Sequence, residues 1–213
     1  MRSRRSRRTS IGPLGRYPDV ALRAAGTPAP PAPLPPTRWP AGPPPLAHGV
    51  DFTFARCRGR HPVRWRPGLP ITVRPAESAG WPSPAGLEEV VAELSLLTGL
   101  ELRTAAAHPP AARAADVAPG SIVVRPAAVG EACCELSAAH GDAYLDRGLC
   151  VLDPGPAAAH LRHQLGHALG LGHALRAGAV MHPGPATGSF GPGDRHGLAA
   201  LGPGATRPDI RKL

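Results

Sequence analysis

Apolar positions between residues 83 and 104 first follow a helical period and then a strand period. Leu87, Val90, Val91, Leu94 and Leu97 recur at i, i+3, i+4, i+7 and i+10, one apolar face of a helix. Ser83-Pro84 offers a cap and a first-turn proline, Glu88 and Glu89 suit the positive end of the dipole, and Gly99 stops the helix. Residues 100–104 then alternate like a strand. Short β-like runs also occupy 62–65, 70–74, 121–125 and 148–153. A second helix is predicted from about 156 to 169. A closing helix follows over 193–201, with Asp194 near its start and Gly202 after its end. Residues 105–119 and 126–147 carry no readable period. The order strand, helix, strands, helix, irregular chain, helix predicts an α/β (α+β) domain.

Length and composition then divide the chain. Its 213 residues suit one domain with an appended tail. Ten of the nineteen residues from 27 to 45 are proline, which predicts an extended polyproline spacer. The folded domain is therefore expected over 51–213, behind a disordered tail over 1–50. Arginine outnumbers lysine 23 to one (Lys212), a bias that resembles GC-rich coding. Residues 1–50 hold eight Arg and one acid, Asp19, for +7; residues 51–213 hold sixteen basic and fourteen acidic residues, for +2. The net +9 thus belongs to the tail and says little about the partners of the domain. Arg2, Arg4, Arg5, Arg7 and Arg8 open one alternative function, an interaction protein that holds nucleic acid or a membrane surface through its tail. Against specific nucleic-acid binding, only 4% of residues are aromatic, without the interleaving of single-strand binders.

No segment approaches the roughly 20 apolar residues of a spanning helix. Ser6-Arg7-Arg8 has the flavour of a twin-arginine signal, but Gly12, Pro13, Gly15, Arg16, Pro18 and Asp19 interrupt every apolar run a signal needs. Four cysteines, Cys57, Cys133, Cys134 and Cys150, permit three complete pairings. Neighbouring Cys133 and Cys134 are poor partners for each other. No CxxC pair is present, which argues against a thiolate metal site.

The strongest chemical signal is His163-Gln164-Leu165-Gly166-His167-Ala168-Leu169-Gly170-Leu171-Gly172-His173. Histidines at i and i+4 lie one turn apart on one helix face, so both imidazoles can reach one ion. Gly170 can adopt the positive φ that ends the helix and turns the chain back, which brings His173 in as a third nitrogen ligand. Three imidazoles leave one position open on a zinc ion, the catalytic rather than the closed structural arrangement. His160, one turn earlier, is expected on exposed helix surface.

His-x-x-x-His-x-x-Gly-x-x-His resembles the zinc signature of the metzincin metallopeptidases. Met181 stands eight residues after His173, and Val180-Met181-His182-Pro183 resembles the methionine turn of the matrixins. Phe190-Gly191-Pro192-Gly193-Asp194 and Gly197-Leu198-Ala199-Ala200-Leu201-Gly202 are similar to the closing helix of a matrixin domain. Pro62-Val63-Arg64-Trp65, Ile71-Thr72-Val73 and Thr98-Gly99-Leu100 are similar to bacterial, actinobacterial matrixin-like domains. The resemblance spans roughly 51–202 and is most specific in its last third. It implies a zincin fold, a twisted mixed sheet backed by helices with a smaller irregular C-terminal subdomain. It further implies zinc on His163, His167 and His173, Met181 as an apolar floor beneath it, and a monomer. The partner would be an extended peptide or protein, pairing along an edge strand at 149–152. It implies secretion too, which the interrupted N-terminus does not support. His182 is read as capping the turn rather than as a ligand.

One residue departs from the family. Directly after the first zinc histidine the family has glutamate, where this chain has Gln164. That carboxylate takes a proton from water and returns it to the leaving amine; an amide of the same shape does not. Loss of a general base costs on the order of 10²–10⁴ in rate. The expected function is thus a zinc-binding peptidase homologue with impaired or absent hydrolysis. The alternative is an active endopeptidase that uses another base, such as Glu131 or Glu135.

Overall fold

A computed structural model of the chain describes residues 9–11, 46–77, 83–127, 131–139, 144–153, 157–184 and 188–203. The proline-rich run at 27–45 lies outside the described residues. The elements follow in the order β1 (Thr9–Ile11), β2 (Thr53–Phe54), β3 (Cys57–Arg58), β4 (His61–Pro62), β5 (Arg64–Trp65), β6 (Ile71–Pro75), α1 (Pro84–Thr98), β7 (Leu102–Thr104), β8 (Ser121–Pro126), β9 (Cys133–Ala139), β10 (Tyr144–Leu152), α2 (Ala157–Leu169), β11 (Leu171–Gly172) and α3 (Pro192–Leu201). The protein is a mixed α/β fold whose mostly parallel sheet is backed by three helices. Among the described residues no helix is long and apolar enough to cross a membrane.

Seven strands form the main sheet in the order β1-β9-β10-β8-β6-β7, with β5 also pairing β10. β7, β6, β8, β10 and β5 run parallel in their pairings, and β9 lies antiparallel between β10 and β1. Alternation along the strands sends side chains to two faces. Ile71, Val73, Ile122, Val124, Cys134, Leu136, Cys150 and Leu152 face the main core. Val123, Leu149 and Val151 face a smaller cluster with Ala111, Ala114 and Val117, so residues 105–119 cover the second face.

The first helix is capped and stopped as its sequence predicts, although Glu88 and Glu89 fall beyond its first turn. Ser83 Oγ accepts the Gly86 amide at 3.2 Å, Pro84 opens the first turn, and Gly99 closes it at φ 69°. Leu87, Val90, Val91 and Leu94 are buried against the sheet. Arg162 on α2 crosses to α1, donating from Nε to Glu93 Oε2 at 2.7 Å and from Nη2 to Glu89 Oε1 at 3.1 Å.

The structure overturns the expectation that 149–152 forms a free edge. β10 is hydrogen-bonded on both sides, to β8 in parallel and to β9 in antiparallel register. β9 is unreadable in the sequence because Glu, Ser and Ala dilute its apolar alternation, leaving only Cys134 and Leu136 turned to the main core. The outer side of β9 carries β1, in the register Thr9↔Leu136, Ser10↔Glu135 and Ile11↔Cys134. Folded chain also begins before Asp51: Leu46 packs on the core and the His48 ring stacks on Phe54 at 5.5 Å.

Candidate metal centre

α2 follows β10 and runs beneath the sheet's buried face, through Leu161, Leu165, Ala168 and Leu169. It therefore enters the core with its polar residues already committed to buried positions. His163 is 4% exposed, Gln164 5% and His167 1%. The helix end is fixed by two contacts. Trp65 Nε1–H donates to the Ala168 carbonyl at 2.8 Å, and Gly170 turns the chain at φ 117°. A Cβ on Gly170 would meet the Val63 carbonyl at 3.2 Å, so both the dihedral and the space require glycine. After the turn, β11 pairs antiparallel with β2, and Thr53 Oγ1–H donates to the His173 carbonyl at 2.6 Å. These bonds carry His173 back to the helix.

The three predicted histidines meet. His167 Nε2 lies 3.0 Å from His163 Nε2 and 3.2 Å from His173 Nε2. Their remaining nitrogens show why the three could hold a metal ion. His163 Nδ1–H donates to the Val180 carbonyl at 2.6 Å, and His167 Nδ1–H to the Leu171 carbonyl at 2.8 Å. Each neutral ring has one proton, so both Nε2 atoms present lone pairs to each other. Two lone pairs at 3.0 Å cannot bond; a cation between them removes the conflict. Four-coordinate zinc with nitrogens at 2.0–2.1 Å sets its ligand atoms about 3.3 Å apart, close to the spacing found here. The backbone carbonyls on Nδ1 are the outer partners that orient ligating imidazoles.

Electrostatics favours the ligating form. Burial is the main cause that lowers the His163 and His167 pKa values, His167 far below its ordinary value, with the neighbouring imidazole adding to the shift at His167. His173 is pushed down to about 4, chiefly by burial and then by His163 and His182. All three are neutral at pH 7 and ready to donate a lone pair.

The turn that carries Met181 packs against α2. The Ala174 amide donates to the Met181 carbonyl at 2.9 Å and closes the loop that follows His173. Met181 is buried against α2 at Gly166, where a Cβ would fall 2.5 Å from its Sδ. The role of Gly166 is a close approach that helix periodicity alone does not reveal. Asp194 is a second residue whose role exceeds its reading as a helix-start acid. Fully buried, it accepts the Val180 and Gly191 amides at 3.0 Å through Oδ2 and the Met181 amide at 3.4 Å through Oδ1. It ties the methionine turn to the start of α3. His182 caps the turn as expected, its Nδ1 accepting the Gly184 amide at 3.0 Å.

Gln164 borders a cavity of about 20 Å³, together with His163, His160, Asp153 and Ala132. That is room for about one water molecule. Gln164 Oε1 and His160 Nδ1 are both buried without a hydrogen-bond partner among the described residues. His160 is therefore partly buried at this cavity, not on exposed helix surface, because it falls one turn before Gln164 on the same face. Glu135 is elsewhere: its Oε2 accepts the Ala114 amide at 3.1 Å, on the far face of the sheet. Glu131 is exposed. A larger cavity of about 300 Å³ opens at the starting ends of β6 and β10, beside Trp65 and Tyr144, and includes none of the three histidines.

Comparison with known proteins finds no matching family model and no matching curated protein.

Proposed function

We propose that this chain is a zinc-binding protein of metzincin architecture, matrixin-like in its last third, that holds extended peptides and hydrolyses them weakly or not at all. The observation that carries this reading is the convergence of three imidazole Nε2 atoms beside an unpartnered Gln164 Oε1. Support comes from the Met181 floor, from the mixed sheet, and from the described residues between β11 and α3, which form neither helix nor strand. A bound zinc ion supplies Lewis acidity to a peptide carbonyl and acidity to its water.

The chain's own residues limit the chemistry at this site. Gln164 accepts a hydrogen bond at Oε1 and donates from its amide, so it can orient a water molecule. It does not take up a proton near neutral pH, and the leaving amine gets none back from it. A peptide would pair with β9, whose neighbour Ala132 borders the cavity. Main-chain hydrogen bonds to a strand edge supply such affinity without sequence specificity. Thr9–Ile11 holds those same edge groups, so the N-terminal segment competes with any peptide.

Hydrolysis of a mixed peptide library by zinc-loaded wild type, Gln164→Glu and His167→Ala tests the reading, with zinc content measured for each. The expected result is zinc in wild type and Gln164→Glu, cleavage by Gln164→Glu only, and neither in His167→Ala. Comparable cleavage by wild type would overturn it and favour a second reading, for which His160 is the specific observation. His160 lines the same cavity as Gln164 with its Nδ1 buried, which makes it a candidate base there alongside Asp153. In that case His160→Ala abolishes the wild-type activity and leaves the zinc content unchanged.

A further inference from the structure

We propose that Cys134 and Cys150 are a disulfide-forming pair that joins β9 to β10 directly beneath the metal-binding helix. The two residues are register partners in the antiparallel ladder, and their Sγ atoms lie 3.9 Å apart. Paired residues on antiparallel strands have Cα atoms about 4.5–5.5 Å apart and side chains on one face. That separation falls within the roughly 4.4–6.8 Å over which a disulfide closes, so side-chain rotation suffices to bring the sulfurs together. Both thiols are fully buried on the helix side of the sheet, and Cys150 Sγ–H donates to the Gln164 carbonyl at 3.4 Å.

Faces and positions exclude the other pairings. Cys133 neighbours Cys134 in sequence but points to the opposite face, against the smaller cluster. Cys57 is exposed on β3, which pairs only with β4 among the described residues. Of the six possible cysteine pairs, Cys134–Cys150 is therefore the one whose sulfurs lie on one face in contact among the described residues.

The chemistry needs an oxidant, and a low-molecular-weight disulfide such as oxidised glutathione supplies it. One cysteine thiolate attacks the disulfide, forming a mixed disulfide and releasing one thiolate. The second cysteine thiolate attacks the protein sulfur of that bond and expels the second thiolate. Two electrons pass from the cysteine pair to the oxidant, and the two cysteine protons end on the released thiols. Burial raises the Cys134 pKa well above its ordinary value, so exchange is fastest while the strands are still forming or when β9 opens. The product closes the segment between the two strands and fixes β9, the strand beside the histidine cavity, to the strand that leads into α2.

The test uses the full chain and a Cys57→Ser/Cys133→Ser variant, each refolded in a mixture of oxidised and reduced glutathione. Free thiols are then alkylated, and the protein is digested and analysed by mass spectrometry. The expected result is one linked pair, Cys134–Cys150, in both proteins, with Cys57 and Cys133 alkylated in the full chain. Thermal melting of the double variant should fall by about 6–12 °C on reduction, the effect of removing a closure of some fifteen residues in a domain of this size. The proposal is overturned if Cys134 and Cys150 are both alkylated after refolding, or if Cys150 is linked to Cys133.

Discussion

Gly166→Ala isolates the close approach of Met181 to α2. The substitution adds a Cβ that would sit 2.5 Å from Met181 Sδ and 3.3 Å from its Cε, inside a region where Met181 is 1% exposed. Two opposing effects set the outcome. Replacing glycine by alanine inside a helix favours folding by about 1 kcal/mol. Forcing an extra methyl into a packed core costs about 1–3 kcal/mol, because the thioether must leave its rotamer or the helix must shift. Overpacking wins in the wild-type background, for a net loss of about 1 kcal/mol. The sign reverses in Met181→Ala. There the obstructing atoms are gone, the helical preference acts alone, and Gly166→Ala stabilises by about 1 kcal/mol. The two backgrounds therefore differ by about 2 kcal/mol, well outside the additivity expected of independent sites. Urea or thermal unfolding of the four metal-free proteins measures the cycle without binding linkage. A melting decrease of about 2–4 °C in wild type should become an increase of similar size in Met181→Ala. If Gly166→Ala has the same sign and size in both backgrounds, the glycine is not there for the methionine.

Other consequences are as direct. Asp194→Ala leaves the Val180, Met181 and Gly191 amides without their acceptor; the buried Val180 and Met181 donors each cost about 1–3 kcal/mol, and metal titration should show at least a tenfold loss of zinc affinity as the turn loosens. The metal-free protein should lose stability as pH falls from about 6.5 towards 4. The folded histidines resist protonation while the unfolded ones take protons up, so the unfolded state binds more protons in that window, and His173→Ala should flatten the curve. Deleting residues 1–14 should raise deuterium uptake at Cys134, Glu135 and Leu136 and tighten binding of an extended peptide; unchanged uptake would mean that β1 does not protect β9.

The site is far more legible in the sequence than the sheet around it. A helical i, i+4 pair and a glycine turn are local instructions, so His163, His167, Gly170 and His173 can be placed without knowing the fold. α1 is equally plain, because its cap, proline, apolar stripe and stop all lie within seventeen residues. β9 is not, since its strand character depends on pairing with β10 rather than on its own Glu, Ser and Ala residues. The same dependence hides the true place of 149–152. A run of apolar residues fits an edge and a centre equally well, and only the partner strands decide which it is. Asp194 and Gly166 are visible as residues but not as contacts. Their partners, Val180 and Met181, are 13 to 15 positions away and approach only once the turn has formed.

Gln164 separates assembly of the site from its chemistry. The atoms that hold α2 in place belong to other groups: Trp65 holds the Ala168 carbonyl, Arg162 reaches Glu89 and Glu93, and Met181 fits against Gly166. Even at Gln164 the backbone carbonyl, not the side chain, makes the contact with Cys150. Its Oε1 is left buried with no partner among the described residues. A glutamate of the same shape would therefore leave the ligands where they are. It would, however, bring an ionisable group into a site where the residue is 5% exposed and the three neighbouring imidazoles are neutral. Without a cation that carboxylate must stay protonated or carry an uncompensated charge; with one, it is stabilised. The amide avoids that conflict and gives up the proton acceptor. Gln164→Glu should thus gain hydrolysis in the zinc form while its metal-free form becomes less stable than wild type at neutral pH. A gain without that loss would place the carboxylate in contact with water outside the buried cavity.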